Sequence, residues 1–420
     1  VKYFKITFFY LIFNLKKNWI TIMQFLNLDN YRFILISLST IIILFNTCDY
    51  ATCLDASTKI KEFGYPLETH EVWTEDRAHL GLERIPHNGS TVIGKPVLLM
   101  HGLFSDSYIF TANNSSLSFV LSDAGFDVWL YNTRGVGLSR TLSIYKRPGS
   151  LPNMNRISWN FSFHEMGVYD LTAVIDFILK KTEHSKLNVV GYSLGATIAF
   201  VCLSDKPEYN AKVNKLVLIA PATNFKTSPV TTFVKQFPKI VSIMLDVFDF
   251  IPYTMDPDST YSQLRNMCAK ESVLKSCKKL IDFLEGVDLP IDNNTVLDMA
   301  SVFPQPVSSK LMKHYFQIVL KGRLSHYDYG TSGNLLLYNK IIPPDYDLSK
   351  VTAPTFIIHS NNDYLTTPTD VKWLIHLLPN IKEVHYIDQV QWGHLSFILS
   401  PNRREIINLY IANKLLDESL

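Results

Sequence analysis

The segment "NVVGYSLGATIAF" (188–200) constrains the fold more than any other part of the chain, because it places one serine between two glycines where a strand pattern becomes a helical one. A strand that turns directly into a helix forces its corner residue, here Ser193, into a strained backbone conformation. Small residues at Gly191 and Gly195 let the neighbouring backbone pass close by. This G-x-S-x-G pattern is typical of a nucleophile elbow, although the five residues alone also fit a Gly–Ser turn without chemistry.

Short apolar runs alternate with helical periodicity along the chain, which predicts a mostly parallel sheet with helices on both faces. The predicted strands are 96–102, 126–134, 187–193, 215–222, 353–360 and 383–389. Between about 224 and 337 no strand pattern occurs, and the segment is too long for a simple connection. We therefore predict an α/β-hydrolase fold with four regions: a targeting region (1–57), a first core part (58–223), an inserted helical cap (224–337) and a second core part (338–420).

The N-terminal region contains the uncharged run "FILISLSTIIILF", Phe33–Phe45, which follows a plausible initiator at Met23. The run is shorter than the roughly 20 residues that a membrane span needs, so it is typical of a signal peptide. We expect cleavage between 47 and 58 and no stable membrane span in the mature chain. The apolar start of the chain leaves a signal anchor as the alternative. A cleaved signal predicts a protein that is secreted or lies in the lysosomal lumen.

In a chain that enters the secretory lumen, glycosylation sequons of the form Asn-x-Ser or Asn-x-Thr are candidate glycan sites. The candidate acceptors are Asn88, Asn113, Asn114, Asn160 and Asn293.

The cysteine count points the same way. Cys48 and Cys53 lie at or near the signal, which leaves three cysteines in the mature body. In an oxidising compartment an odd number implies one bridge and one thiol. Cys202 lies in the apolar run after the elbow and is the expected buried thiol, so Cys268 and Cys277 are the expected pair.

Composition excludes several other classes of protein. The net charge of +2 gives no electrostatic case for a nucleic-acid partner. His164-Glu165 resembles the start of a zinc-binding helix, but the position four residues after His164 is Val168, so the two-histidine motif is absent. The sequence implies no metal and no organic cofactor.

A serine nucleophile needs a base, and the base needs an acid that orients it. In α/β-hydrolases these follow in the order Ser, Asp or Glu, His, each just after a strand. Asp363 and His394 fit this order behind Ser193. The competing candidates were Asp370, Asp388 and His359.

An oxyanion needs two fixed N–H donors. The expected donors are the backbone groups of Leu194, directly after the serine, and of Leu103, in the loop after the first predicted strand.

From about Phe63 to the C-terminus the chain resembles the acid lipases, the gastric and lysosomal lipases with their insect relatives. The resembling segments include "FGYPLETHEVWTED", "KPVLLMHGLFSDS", "SLSFVLSDAGFDVWLYNTRG", "WNFSFHEMGVYDLTAVIDFIL" and "WGHLSFI". The resemblance assigns Ser193, Asp363 and His394 to the triad, and Leu103 and Leu194 to the oxyanion positions. It also maps the cap disulfide of the family onto Cys268 and Cys277.

The resemblance implies a monomeric serine lipase that acts without a cofactor on neutral lipids, triacylglycerols or sterol esters, at a lipid–water interface. The alternatives are a carboxylesterase for smaller esters and a non-catalytic lipid-binding protein. The chain departs from the usual G-H-S-Q-G elbow at Tyr192 and Leu194, and it has Ser396 where the family has Asp. These departures concern substrate preference and pH optimum rather than reaction type, since backbone N–H donation survives them.

Overall fold

The computed structural model describes residues 54–87, 94–140, 159–239, 241 and 257–419. The predicted signal run Phe33–Phe45 and the sequon at Asn88 lie outside the described residues.

The described residues form one mixed sheet of eight strands in the order β1-β2-β4-β3-β5-β6-β7-β8. The β1–β2 and β2–β4 pairs are antiparallel and the other pairs are parallel. The strands are β1 Glu68–Trp73, β2 His79–Ile85, β3 Pro96–Met100, β4 Asp127–Tyr131, β5 Leu187–Tyr192, β6 Val213–Ile219, β7 Thr355–Ser360 and β8 Ile381–Ile387.

The six predicted strands are confirmed as β3 to β8, with ends shifted by a few residues. They were recognisable because most are buried on both faces and therefore form continuous apolar runs. In β3, Leu98 and Met100 pack in one hydrophobic cluster while Val97 and Leu99 pack in another on the opposite face of the sheet.

The helices and short helical turns connect these strands and cover both faces of the sheet. Their bounds are α1 Ala56–Glu62, α2 Leu117–Asp123, α3 Phe163–Glu165, α4 Thr172–Thr182, α5 Leu194–Asp205, α6 Pro229–Gln236, α7 Pro257–Cys268, α8 Glu271–Glu285, α9 Asn293–Val302, α10 Ser309–Lys321, α11 Gly330–Tyr338, α12 Pro368–Ile375, α13 Ser396–Leu399 and α14 Leu409–Leu416.

Two helices follow directly from their sequences. Ser162 and Glu165 form a capping box at the start of α3, and a π-helical segment, Met166–Leu171, joins α3 to α4. Every residue of α5 from Leu194 to Ser204 is buried, because this helix is apolar on all sides and packs against the sheet.

The described part of the segment between 224 and 337 contains helices and no strand. A disulfide joins Cys268, the last residue of α7, to Cys277 in α8. Cys202 is a buried free thiol in α5. Among the described residues no helix has both the length and the apolar character to cross a membrane.

The described part of the core begins before residue 58. The Asp55 carboxylate accepts the Thr58 N–H and caps α1, whose Ala56 and Ile60 are buried. Residues 55–57 therefore belong structurally to the core.

Candidate active site

Ser193 occupies the tight turn between β5 and α5. Its backbone has φ 53° and ψ −108°, and its N–H donates to the Ile219 carbonyl on β6 at 2.9 Å. A Cβ at Gly191 would lie 2.8 Å from the backbone nitrogen of Ala196, and one at Gly195 would collide with the Met100 carbonyl. Both glycines are therefore needed for the backbone to pack around the strained serine.

The structure brings Ser193, His394 and Asp363 together. His394 Nε2 lies 2.9 Å from Ser193 Oγ, and His394 Nδ1 lies 2.7 Å from Asp363 Oδ2. All three side chains are buried. Because the Asp363 carboxylate can only accept, it holds the hydrogen on Nδ1 and leaves Nε2 free to accept the serine hydroxyl.

The competing candidates have other partners. The Asp370 carboxylate accepts the Thr227 N–H, and Asp388 accepts from the Asn361 amide. His359 lies within β7 with its ring against Tyr386.

The charge distribution favours an imidazole that gains a proton readily. Burial lowers the pKa of His394, but the Asp363 carboxylate, through its charge and its hydrogen bond, and Glu285 raise that pKa by more. Burial raises the pKa of Asp363, but His394 and the hydrogen bonds from Thr366 lower it by more. The acid therefore stays ionised beside the base, as the orienting member of such a triad must.

The two expected oxyanion donors flank the serine. Leu194 is the first residue of α5, and the N–H groups of a first helical turn have no partner within the helix. The Leu103 loop lies against the elbow, since a Cβ on Gly102 would be 3.4 Å from Ser193 Cβ. Both backbone segments therefore lie next to Ser193.

His101 fixes the second of these segments. Its Nε2 accepts the Thr133 N–H at 3.1 Å, so the ring hydrogen lies on Nδ1 and donates to the Gly102 carbonyl at 2.8 Å. Burial lowers the pKa of His101 to about 4, so the ring is neutral at ordinary pH. A neutral imidazole thus holds the loop without adding charge to the site.

Tyr192 is a supporting residue that the sequence did not reveal. Its hydroxyl donates to the His394 carbonyl at 2.9 Å. Its ring also contacts Gly102, where a Cβ would lie 2.9 Å from a ring carbon. The departure from the usual elbow sequence at this position therefore introduces a direct tie between the serine turn and the histidine loop.

Glu285, the last residue of α8 in the cap segment, is a second supporting residue that the sequence did not reveal. Its buried carboxylate accepts the N–H groups of Gly393 at 2.8 Å, of Ser396 at 2.9 Å and of Leu395, and it also accepts the O–H of Ser396. Burial raises the pKa of Glu285 by more than these donors lower it, so the net shift is upward. The only sequence signal was the serine at 396, where the family has a carboxylate.

Gln305 makes the corresponding contact on the oxyanion side. Its N–H donates to the Phe104 carbonyl and its amide Nε2 to Asp106 Oδ2, each at 2.8 Å. The segment between α9 and α10 therefore holds the loop that carries Leu103, while α8 holds the loop that carries His394.

The predicted glycan acceptors differ in exposure. Asn114, Asn160 and Asn293 are exposed, whereas Asn113 is half-buried. The side-chain oxygen Oδ1 of Asn113 accepts from Arg403 at 2.5 Å and from the Ser115 N–H at 3.0 Å. Exposure thus favours Asn114 over Asn113 in the overlapping pair.

Comparison with known proteins agrees with the α/β-hydrolase fold and with the resemblance to lipases. The family described as alpha/beta hydrolase fold matches residues 95–401, and the partial alpha/beta-hydrolase lipase region matches residues 56–114. The chain is 35% identical to gastric triacylglycerol lipase of Rattus norvegicus, covering 86% of this chain and 91% of that protein. It is 33% identical to Lipase 1 of Drosophila melanogaster (84% and 78%) and 35% identical to lipase member N of Homo sapiens (80% and 84%).

Proposed function

The chain belongs to the α/β-hydrolase lipases, and from that premise we propose that it is a serine lipase that hydrolyses the ester bonds of neutral lipids, triacylglycerols or sterol esters. The observation that carries the proposal is the hydrogen-bonded sequence Ser193–His394–Asp363 on the strained elbow. A buried serine with an oriented base and an ionised acid is the arrangement that acyl transfer requires.

In the proposed mechanism, Ser193 Oγ attacks the ester carbonyl carbon while its proton passes to His394 Nε2. The carbonyl oxygen becomes an oxyanion that accepts the N–H groups of Leu103 and Leu194. The intermediate collapses with cleavage of the carbon–oxygen ester bond, and the departing alcohol takes the proton from His394. Water, deprotonated by His394, then attacks the acyl-serine and releases the fatty acid, which restores Ser193.

The substrate class rests on similarity to relatives named as triacylglycerol lipases. The alternative is a carboxylesterase for smaller esters, which a narrow, less apolar pocket under the cap would favour. We infer a monomer that acts at a lipid–water interface without a nucleic-acid partner. The signal-like run, the exposed sequons and the Cys268–Cys277 disulfide support a secreted or lysosomal location.

The test compares wild type with Ser193→Ala, and with Ser349→Ala at an exposed turn as the matched control. A phosphonate inhibitor should label Ser193 covalently in wild type and in the control only. Ser193→Ala should lower turnover by about 10⁴–10⁶-fold, as loss of a triad nucleophile does elsewhere. Full turnover by a well-folded Ser193→Ala protein would exclude the mechanism.

Triolein, cholesteryl oleate and a butyrate ester, assayed side by side, resolve the substrate class. Preference for the two long-chain substrates supports the lipase assignment. Turnover of the butyrate ester alone favours the carboxylesterase.

A further inference from the structure

A second cluster of potential ligands lies away from the triad. His164 on α3, Asp205 at the end of α5 and His326 after α10 each offer one atom, and these atoms all lie within 4.8 Å of one another. His326 Nε2 is 2.9 Å from Asp205 Oδ2, and His164 Nδ1 is 3.9 Å from the same oxygen. The three residues come from separate parts of the chain, so no local motif announces them.

The His326 ring lies between two acceptors. Its Nδ1 is 3.1 Å from the Pro344 carbonyl, and its Nε2 is 2.9 Å from Asp205 Oδ2. A neutral ring carries one hydrogen and can donate to only one of these acceptors. A second proton, or a metal cation bound to Nε2 while Nδ1 keeps its hydrogen, satisfies both.

The surroundings are those of a cation site. A backbone carbonyl that accepts from the outer nitrogen of a histidine is the usual way in which proteins orient a metal-binding imidazole. The Tyr346 ring stacks on His326 with centroids 4.1 Å apart. Its hydroxyl is 2.8 Å from His164 Nδ1, so this hydrogen bond must break when Nδ1 binds the ion. The His164, Asp205 and His326 side chains are 32%, 24% and 15% exposed, so an ion and a water ligand can reach them.

We propose that His164, Asp205 and His326 form a binding site for Zn²⁺. Two imidazoles and a carboxylate suit this ion, whose bonds of about 2.0–2.2 Å to nitrogen and oxygen separate tetrahedral ligands by roughly 3.4 Å. The two separations from Asp205 Oδ2, 2.9 and 3.9 Å, bracket that value, and the two ring nitrogens are no more than 4.8 Å apart. The sequence implies no metal, since Val168 stands where the two-histidine motif needs its second histidine, whereas Asp205 and His326 come from elsewhere in the chain.

The role of the site is structural. Asp205 and Ser193 lie at opposite ends of α5, which has 12 residues and is about 18 Å long at 1.5 Å per residue. Zn²⁺ would join the segment after α10 to two core helices without contacting the reacting atoms.

The experiment uses the full chain, freed of metal with EDTA and dialysed at pH 7. Zn²⁺ is titrated by calorimetry, and Co²⁺ is added as a spectroscopic probe of the coordination geometry. We expect one equivalent to bind, a rise in melting temperature, and a tetrahedral Co²⁺ absorption band. Asp205→Asn and His326→Asn should each weaken binding by about 100-fold or more, since loss of even an outer-shell partner costs about 10–100-fold.

His70→Asn is the matched control, because His70 pairs with Glu68 at 2.9 Å but is not part of the cluster. It should bind Zn²⁺ like wild type. Labelling of Ser193 by the phosphonate confirms that each variant is folded. Absence of Zn²⁺ binding to wild type at about 100 μM, or wild-type affinity in both site variants, would overturn the proposal. A further outcome is that wild type binds no Zn²⁺ but becomes more stable at acidic pH, while Asp205→Asn does not. That result would assign a second proton to His326 and would also overturn the proposal.

Discussion

Glu285 is the clearest case of a single residue that acts on the triad from outside it. Its carboxylate raises the pKa of His394 and accepts several N–H groups of the histidine loop. Glu285→Gln removes the charge and should therefore lower the pKa of His394. The base then stays neutral to lower pH, so the acid limb of the kcat/KM–pH profile should move to lower pH.

The rate of Glu285→Gln should also fall, by about tenfold, because one amide oxygen cannot replace two carboxylate oxygens as acceptor. Glu285→Asp, which keeps the charge, should restore the position of the acid limb. Glu165→Gln, at a half-buried carboxylate paired with Lys310 elsewhere, is the control. A lower rate with an unmoved acid limb would mean that Glu285 only supports the loop.

Tyr192 offers a smaller and purely geometric test. Tyr192→Phe keeps the ring but removes the hydroxyl that donates to the His394 carbonyl. One hydrogen bond contributes about 0.5–1.5 kcal/mol, so kcat should fall by no more than about tenfold and the pH profile should not move. Tyr65→Phe removes a comparable bond to Asp123 far from the site and should leave kcat unchanged. Equal kcat values for all three proteins would refute the role of Tyr192.

At the scale of elements, burial explains which parts of the fold the sequence could predict. The strands β3 to β7 are almost entirely buried, and their apolar runs were recognisable. The strands β1 and β2 were not predicted. β2 is almost entirely buried, but His79 and Glu83 interrupt its apolar run. β1 alternates between exposed and half-buried positions at the edge of the sheet. Its few buried side chains leave little apolar pattern to detect.

The same reasoning applies to the site. The order and spacing of Ser193, Asp363 and His394 follow from positions at strand ends, which a sequence can indicate. The supporting contacts join residues far apart in the chain: 110 positions for Glu285 with Leu395 and 199 for Gln305 with Asp106. Only the folded packing of the cap segment against the core brings these residues together.

The disulfide makes a prediction about the cap segment as an element. Cys268 and Cys277 close a short loop between α7 and α8, the helix that ends at Glu285. The chain-entropy estimate for such a loop is about 2–3 kcal/mol. Replacing both cysteines by serine should therefore lower the melting temperature, and a reducing agent should have the same effect on wild type.

Cys202→Ala serves as the control, since this thiol is buried and unpaired. It should lose stability through packing alone and should keep the sensitivity to reducing agent. Peptide mapping without reduction should recover Cys268 linked to Cys277. A linkage that includes Cys202 would contradict the structure.

For the whole molecule, buried titratable groups determine how stability depends on pH. Burial raises the pKa of Glu83 to about 8 and that of Asp106 to about 7. Burial lowers the pKa of His101 to about 4 and that of His314 to about 3. At acidic pH the carboxyls and these histidines change the free energy of unfolding in opposite directions as pH rises. At neutral pH they do not.

Both carboxyls bind protons in the folded protein that the unfolded chain has already released. Their contribution is complete below about pH 4, the unfolded pKa range, and is lost as pH rises through 7 and 8. The histidines do the reverse: the unfolded chain binds the extra protons, so stability rises until about pH 6.5 and is constant above it. Above pH 6.5 these two histidines no longer contribute, while both carboxyls and His394, whose pKa is raised by Asp363, make the free energy of unfolding fall.

Urea titrations at half-unit steps between pH 6.5 and 8.5 test this prediction. The slope should reach about 1.4 kcal/mol per pH unit for each carboxyl that titrates. Glu83→Gln keeps an oxygen that can accept from the Asn132 amide but cannot ionise, so the decline between pH 7 and 8 should become shallower. Glu405→Gln, at an exposed position, should keep the wild-type slope. An unchanged slope in Glu83→Gln would show that Glu83 is not the group that titrates in this range.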